Sequence, residues 1–514
     1  MHVTMRGGNR NPQPSWLEAY SPAHLQHLIG ETIASATADA VFDIVIGHSE
    51  RTIIHNGTVR LPPQIERGLG GLVLRHGGKC SRICPLTMLA ENWSFPQAFA
   101  TLMNGNDIGI QPTDRNVIPY DIGSFSTVQF QVSSQSTAFK VVHVFRGKPV
   151  VPIEHVNQHG TERLALGMAD WMRQHVADTG KLTYCYHPKA NHYARNSNRI
   201  REFMGSIALF KAARHFDDNT MFALAERSLR YNLDAYLREE QDYGVIVEGE
   251  KIKLGAAALA AMAIRHSERR ADYANCLRRL TAFTEMMWQT SGAFRCFLRP
   301  ADRADICQNF YPGETLLLWA GCWLESRDTA LWQKIEASFR HYRQWHAAQP
   351  NPAFVPWHTQ AYYLLWQATG DSRFKDAILE MNDWLLPFQQ WETVADYPDT
   401  QGRFYDPDLP YGPPHASSTG VYLEGLIDAF RLATAIGDTD RAHRYAETIK
   451  RGVRNIMQLQ YSERDECAGF PAPEKALGGI RTTEYNNLIR IDNVQHALMA
   501  VIRILKTDDF LWDR

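Results

Sequence analysis

The chain has 514 residues, 44% of them hydrophobic and 21% charged, a globular composition with room for more than one core. With 54 Lys and Arg against 56 Asp and Glu the formal net charge is −2, so charge makes no case for nucleic acid or an anionic membrane as partner. No apolar run approaches the ~18 residues of a membrane span, and the N-terminus lacks the apolar core of an export signal, so a cytoplasmic chain with reduced thiols is expected.

Residues 1–15, rich in Gly, Asn and Pro, read as a disordered arm. Residues 16–158 read as a small α+β domain. A helix is expected over 21–40, strands at 40–46, 51–56 and 70–74, helical periodicity over 86–103, and alternating strands at 126–132 and 137–144. Cys80 and Cys84 form a lone C-x3-C, which suits a buried structural role better than zinc. This domain is a candidate docking surface for a protein partner.

From 159 to 514 the pattern becomes helical. Twelve helices pair as outer then inner: 163–177 with 196–215, 221–238 with 254–266, 271–290 with 312–326, 330–348 with 356–369, 373–390 with 418–436, and 441–459 with 491–506. Similar turns punctuate them, among them Asp217-Asp218, Arg327-Asp328, Gly370-Asp371 and Gly437-Asp438. Six such hairpins can close on themselves. The expected fold is therefore mainly α, an (α/α)6 toroid preceded by a small α+β domain.

The turns Ala368-Thr369-Gly370-Asp371 and Ala435-Ile436-Gly437-Asp438, with the small-residue inner helix at 254–262 (LGAAALAAM), resemble the six-hairpin superfamily. That superfamily includes six-hairpin glycosidases, N-acylglucosamine 2-epimerase-like isomerases, uronate lyase and C5-epimerase toroids, and lanthionine cyclases. The resemblance spans roughly residues 160–510 and implies the architecture; fold does not choose among those chemistries.

In such a toroid the inner helices are parallel, and their N-termini gather beside the long loops as a funnel. Before inner helix one stand His192, Tyr193, Arg195 and Arg199, with Glu202 one turn in. Together they suit hydroxyls or a carboxylate; singly, each could be a cap or a solvated charge. At helix three Pro312 fits the first helical position, which makes Tyr311 the expected N-cap and puts Glu314 in the first turn of a helix apolar nearly all round. At helix four Trp357 and His358 follow Pro356, as a sugar-stacking face and a base or as a core Trp and a satisfied His.

The loop over 393–414 delivers His415 to helix five, with Ser417 or Ser418 as its cap. At helix six, after Arg481 and Arg490, Asp492 and His496 lie four apart and share a face. The expected catalytic set is His358, His415, His496, Glu314 and Asp492, converging on one pocket. The expected substrate-binding set is His192, Tyr193, Arg195, Arg199, Glu202, Tyr311, Trp357, Arg481 and Arg490.

The funnel is richer in His, Tyr and Arg than in carboxylates. That favours proton transfer on a sugar or uronate, by an epimerase, isomerase or lyase. A glycoside hydrolase with paired carboxylates is the alternative. A noncatalytic glycan- or peptide-binding module in a biosynthetic complex is another. No Cys-His pair stands where a zinc-dependent cyclase would need it, and no metal or cofactor is expected.

Overall fold

The structure, a computed structural model, describes residues 2–6, 15–16, 22–34, 41–55, 58–105, 121–135, 138–409, 411–467 and 469–512. In chain order the first part comprises β1 (His2–Arg6), β2 (Ser15–Trp16), α1 (Pro22–Ala34), β3 (Val41–Thr52), β4 (Ile54–His55), β5 (Thr58–Val59), β6 (Gly70–His76), β7 (Lys79–Ile83), α2 (Pro85–Ala90), α3 (Phe95–Asn104), β8 (Asp121–Gln135) and β9 (Ala138–Val144). An antiparallel sheet runs β2-β1-β3-β8-β6-β7, with β9 also paired to β8. Alternate residues of β6 and β8 (Leu72, Leu74, Ile122) meet Met88, Phe95 and Leu102 of the two short helices in a core of their own. The disordered arm expected over 1–15 is corrected at His2–Arg6, which pairs with β3, and at Ser15, which pairs with β1. Residues 7–14, and 35–40 of the expected first helix, lie outside the described residues.

The rest is a ring of hairpins. The outer helices are α4 (Gln158–Gln174), α6 (Asn219–Tyr236), α8 (Ala274–Met286), α10 (Thr329–Ala348), α12 (Ser372–Leu385) and α14 (Thr439–Leu459). The inner ones are α5 (Arg199–Phe216), α7 (Leu254–His266), α9 (Tyr311–Ser326), α11 (Val355–Thr369), α13 (Ala416–Ala435) and α15 (Ile491–Leu505). Each inner helix packs on the next, and α15 returns to α5, so the ring is closed. No described helix is long and apolar enough to cross a membrane.

One turn chemistry serves four of the five inner-to-outer connections. A left-handed residue (Asp217, Arg327, Gly370 or Gly437) ends or follows the inner helix. The next residue is an Asp whose carboxylate accepts from a first-turn amide of the outer helix: Asp218 from Met221, Asp328 from Leu331, Asp371 from Arg373, Asp438 from Arg441. Short turns at this end leave all the long connections at the other, where the inner helices begin.

Those connections carry strands, which corrects the expectation of an entirely helical span. β10 (Cys185–His187), β11 (His192–Tyr193), β16 (Arg481–Thr483) and β17 (Asn486–Arg490) make a sheet that ties the loop before α5 to the loop before α15. β12 (Leu237–Glu239), β13 (Gly244–Glu248), β14 (Lys251–Lys253) and β15 (Phe297–Arg299) do the same for the loops before α7 and α9.

The sheet domain is fastened to the ring by buried polar groups. Arg146 pairs with Asp399, both side chains at most 2% exposed. Lys148 Nζ donates to the Gln460 carbonyl at 2.5 Å and pairs with Glu466, and Asn487 donates to the Leu89 carbonyl.

Candidate functional site

The site begins with Asp492, in the first turn of α15 and 1% exposed. Arg490 Nε donates to Oδ1 at 2.9 Å, a second Arg490 nitrogen donates to Oδ2, and Arg201 Nε reaches Oδ2 at 3.3 Å. Burial alone would raise the carboxyl pKa, but Arg201 and Arg490 outweigh it and hold it below the ordinary value.

Asp492 and His496, four apart on one face, share no hydrogen bond or ion pair among the described residues. His496 Nδ1 instead lies 2.8 Å from Glu424 Oε1 of α13, a residue missed in the sequence, with the His496 ring edge-on to Trp357 at 6.1 Å between centroids. Glu424 had a signal: it is a carboxylate in the apolar run VYLEGLI of an inner helix, the same grammar as Glu314.

His415 is the N-cap residue of α13, one turn before the expected start, and neither Ser417 nor Ser418 caps the helix. Their hydroxyls turn to the His415 Nδ1 instead, at 2.7 and 3.1 Å. Burial, then the charge of Arg490, pulls the imidazole pKa down to about 4, so it is neutral at pH 7; Asp492, Arg201 and His496 also act on it.

Glu314 is 4% exposed, and its Oε2 has no hydrogen-bond partner among the described residues. Burial raises its pKa to about 7, with Arg201 opposing. Arg201, also missed, therefore joins the cluster: it is bonded to Asp492, and its charge acts on both Glu314 and His415. Two carboxyls stand here in opposite states, Asp492 ionised and Glu314 protonatable near neutrality.

Other expected residues sit elsewhere. His358 is a correction: its ring stacks on Phe354 at 3.5 Å, Nδ1 bonds the Phe354 carbonyl at 2.9 Å, and Tyr342 of outer helix α10 covers it. That places it in the packing layer, and burial drives its pKa down to about 3. Arg481 is also corrected, since it donates to the Gln458 carbonyl at 2.8 Å and lies over the Tyr461 ring. Glu202 bonds Ser197 and Arg199, and Arg199 lies 3.6 Å over the Tyr236 ring of α6, so this group serves the first two hairpins. Tyr311 is buried against Phe297, one residue inside α9, whose N-cap is Phe310 rather than Tyr311. His192, Tyr193 and Arg195 are exposed on the rim, His192 stacked on His187 at 4.3 Å.

A cavity of about 630 Å³ occupies the lumen of the ring, lined at one end by Trp357 and Glu424 and reaching Lys506 and Thr507 at the C-terminal ends of the inner helices. None of Glu314, His358, His415 or His496 lines this cavity. Among the described residues no group of three or more His, Cys, Asp or Glu could hold a metal ion.

No protein-family model and no curated protein matches the sequence. Solved structures do match the fold. Cellobiose 2-epimerase from Bacillus thermoamylovorans aligns over 67% of this chain and 98% of its own at 9% identity and a TM-score of 0.50. An unsaturated glucuronyl hydrolase from a Bacillus species aligns over 68% and 96% at 15% identity and a TM-score of 0.49. An α-1,6-mannanase from a Salegentibacter species aligns over 68% and 98% at 10% identity and a TM-score of 0.47. The chain thus has the six-hairpin toroid fold, preceded by a smaller α+β domain.

Proposed function

We propose that the chain is a carbohydrate-active enzyme that moves a proton at a sugar carbon, as an epimerase, isomerase or lyase does, with His496 as the base. The observation that carries this is the 2.8 Å contact between His496 Nδ1 and Glu424 Oε1 beside the Trp357 ring. In the tautomer with the proton on Nδ1, Glu424 accepts it and Nε2 is left as the free base. Arg201 and Arg490 supply positive charge for an enolate or carboxylate formed on the substrate.

The aromatic faces suit a sugar. Tyr193, Phe310 and Tyr411, from three loops that precede inner helices, are 41%, 44% and 37% exposed. Cellobiose 2-epimerase shares the fold, which makes cellobiose the first compound to try.

Glycoside hydrolysis is the second reading, favoured by one observation: Glu314 is poised near pH 7 while Asp492 is held ionised, the division of roles that an acid and its carboxylate partner need. Incubation with sugars and oligosaccharides in deuterated water separates the two. Deuterium at a sugar carbon supports proton transfer, whereas release of a reducing end with no carbon-bound deuterium transfers the assignment to hydrolysis. Glycan binding without either reaction supports a binding module.

A further inference from the structure

The lumen behind the mouth cluster is walled largely by inner helices, and several of its charged groups are committed to one another. Arg503 pairs with Asp428 and donates to Gln360 Oε1 at 2.5 Å. Arg431 bonds Asp428 and Thr507, Arg265 pairs with Glu325, and Glu424 with His496. Lys211, like Lys506, Asp508 and Asp509 of the same lining, has no such bond among the described residues. Lys211 enters the cavity from α5 beside Met204 and Ile207, and its electrostatic neighbours Glu424, Arg503, Asp428 and Lys506 are not hydrogen-bonded to it among the described residues.

Lys211 is half-buried in this wall, where a Leu or Met would pack better than an ammonium without a bonded partner. Carboxylates, amides and the rings of Trp357 and Tyr363 share the chamber, as a polyhydroxylated ligand requires. The volume, about 630 Å³, suits a small sugar.

We propose that the lumen is a second ligand site, in which the Lys211 amine condenses with the carbonyl carbon of a small open-chain hydroxy aldehyde or ketone to form an imine. The nitrogen lone pair attacks the carbonyl carbon, and the C–O bond then breaks. The oxygen leaves as water with both amine hydrogens, which Glu424 and Asp428 relay, and nothing is oxidised or reduced. The site adjoins the mouth cluster through Glu424 and Trp357, and its test does not depend on turnover there.

The attacking amine must be neutral, and the chamber favours that form. Burial lowers the Lys211 pKa to about 8, with Arg503 and Lys506 adding to the effect and Glu424 and Asp428 opposing it. From α7, His266 also faces Lys211 and is held neutral by burial, its pKa down at about 3, while Arg265 beside it pairs with Glu325.

The test treats the full chain with D-glyceraldehyde and sodium cyanoborohydride at pH 8, then maps the modified lysines by peptide mass spectrometry. An ordinary lysine is ~0.4% neutral at that pH and an amine of pKa ~8 about half neutral, a difference on the order of 100-fold. Lys211 is expected to be labelled at least ~10-fold faster than the exposed Lys79 and Lys251. The Lys211→Met variant, with an unchanged circular dichroism spectrum, should lose the fast-labelled peptide. Labelling of Lys211 no faster than Lys79 and Lys251, or none at all, overturns the proposal.

Discussion

The Glu314 carboxyl fills the space that a side chain on Gly255 would need: a Cβ built there overlaps Glu314 Oε2 and the Tyr311 ring. The close approach of α7 and α9 therefore positions a carboxyl poised near neutrality. Gly255→Ala is expected to displace it, and a misplacement of about 1 Å can cost on the order of 100-fold in turnover. Steady-state kinetics of a variant with unchanged helicity checks this, and wild-type turnover would show that Glu314 takes no part.

Glu314 should also appear in the pH dependence of stability. Its folded pKa, about 7, lies above the ordinary 4.5, so its contribution is fully present at low pH and is lost as pH rises toward 7. For this buried group the shift corresponds to on the order of 3 kcal/mol. Glu314→Gln should flatten that limb and be the more stable protein at pH 8, measured by urea unfolding at several pH values. Parallel curves for the two proteins would refute the buried, protonatable carboxyl.

Asp492→Asn leaves the guanidiniums of Arg201 and Arg490 without their counter-charge, and a cost of about 3 kcal/mol is expected. Its folded pKa is lowered, so the wild-type contribution stands at neutral pH and is lost as pH falls through the region below 3.8. Denaturant midpoints at pH 7 and pH 3 should therefore differ more in the wild type than in the variant. Equal differences would contradict the ion pairs.

The histidines should separate sharply. His496→Ala is expected to lower turnover by ~10²–10⁴-fold, with Glu424→Gln costing less because an amide retains part of the orienting hydrogen bond. His358→Phe keeps a ring on Phe354 and loses one hydrogen bond, about 1 kcal/mol of stability, with little effect on turnover. A large kinetic defect in His358→Phe alone would reverse these assignments.

Arg146→Ala strands Asp399 as a buried charge between the sheet domain and the ring, at an expected cost of about 3–5 kcal/mol. Limited proteolysis should then cut within residues 121–155 sooner than in the wild type. A double-mutant cycle with Asp399→Ala measures the coupling, and a value near zero would dismiss this pair as the fastening.

The hairpin count and the end of the ring that carries the long loops were legible in the sequence, because their causes are local. Helical periodicity, a left-handed residue followed by an Asp cap, and Pro near the start of α9 and α11 all act within a few residues of themselves. Which residues meet was decided by the tertiary structure. His358 and His496 are both early in inner helices, but the rotation of each helix in the ring turns the first onto Phe354 and Tyr342 and the second onto Glu424, 72 residues away in sequence. Arg199 and Arg201 differ by two positions, which on a helix separates their faces, so one lies on Tyr236 and the other reaches Asp492. Glu314 owes its pKa to burial against Gly255, across a contact between two helices that neither helix encodes alone.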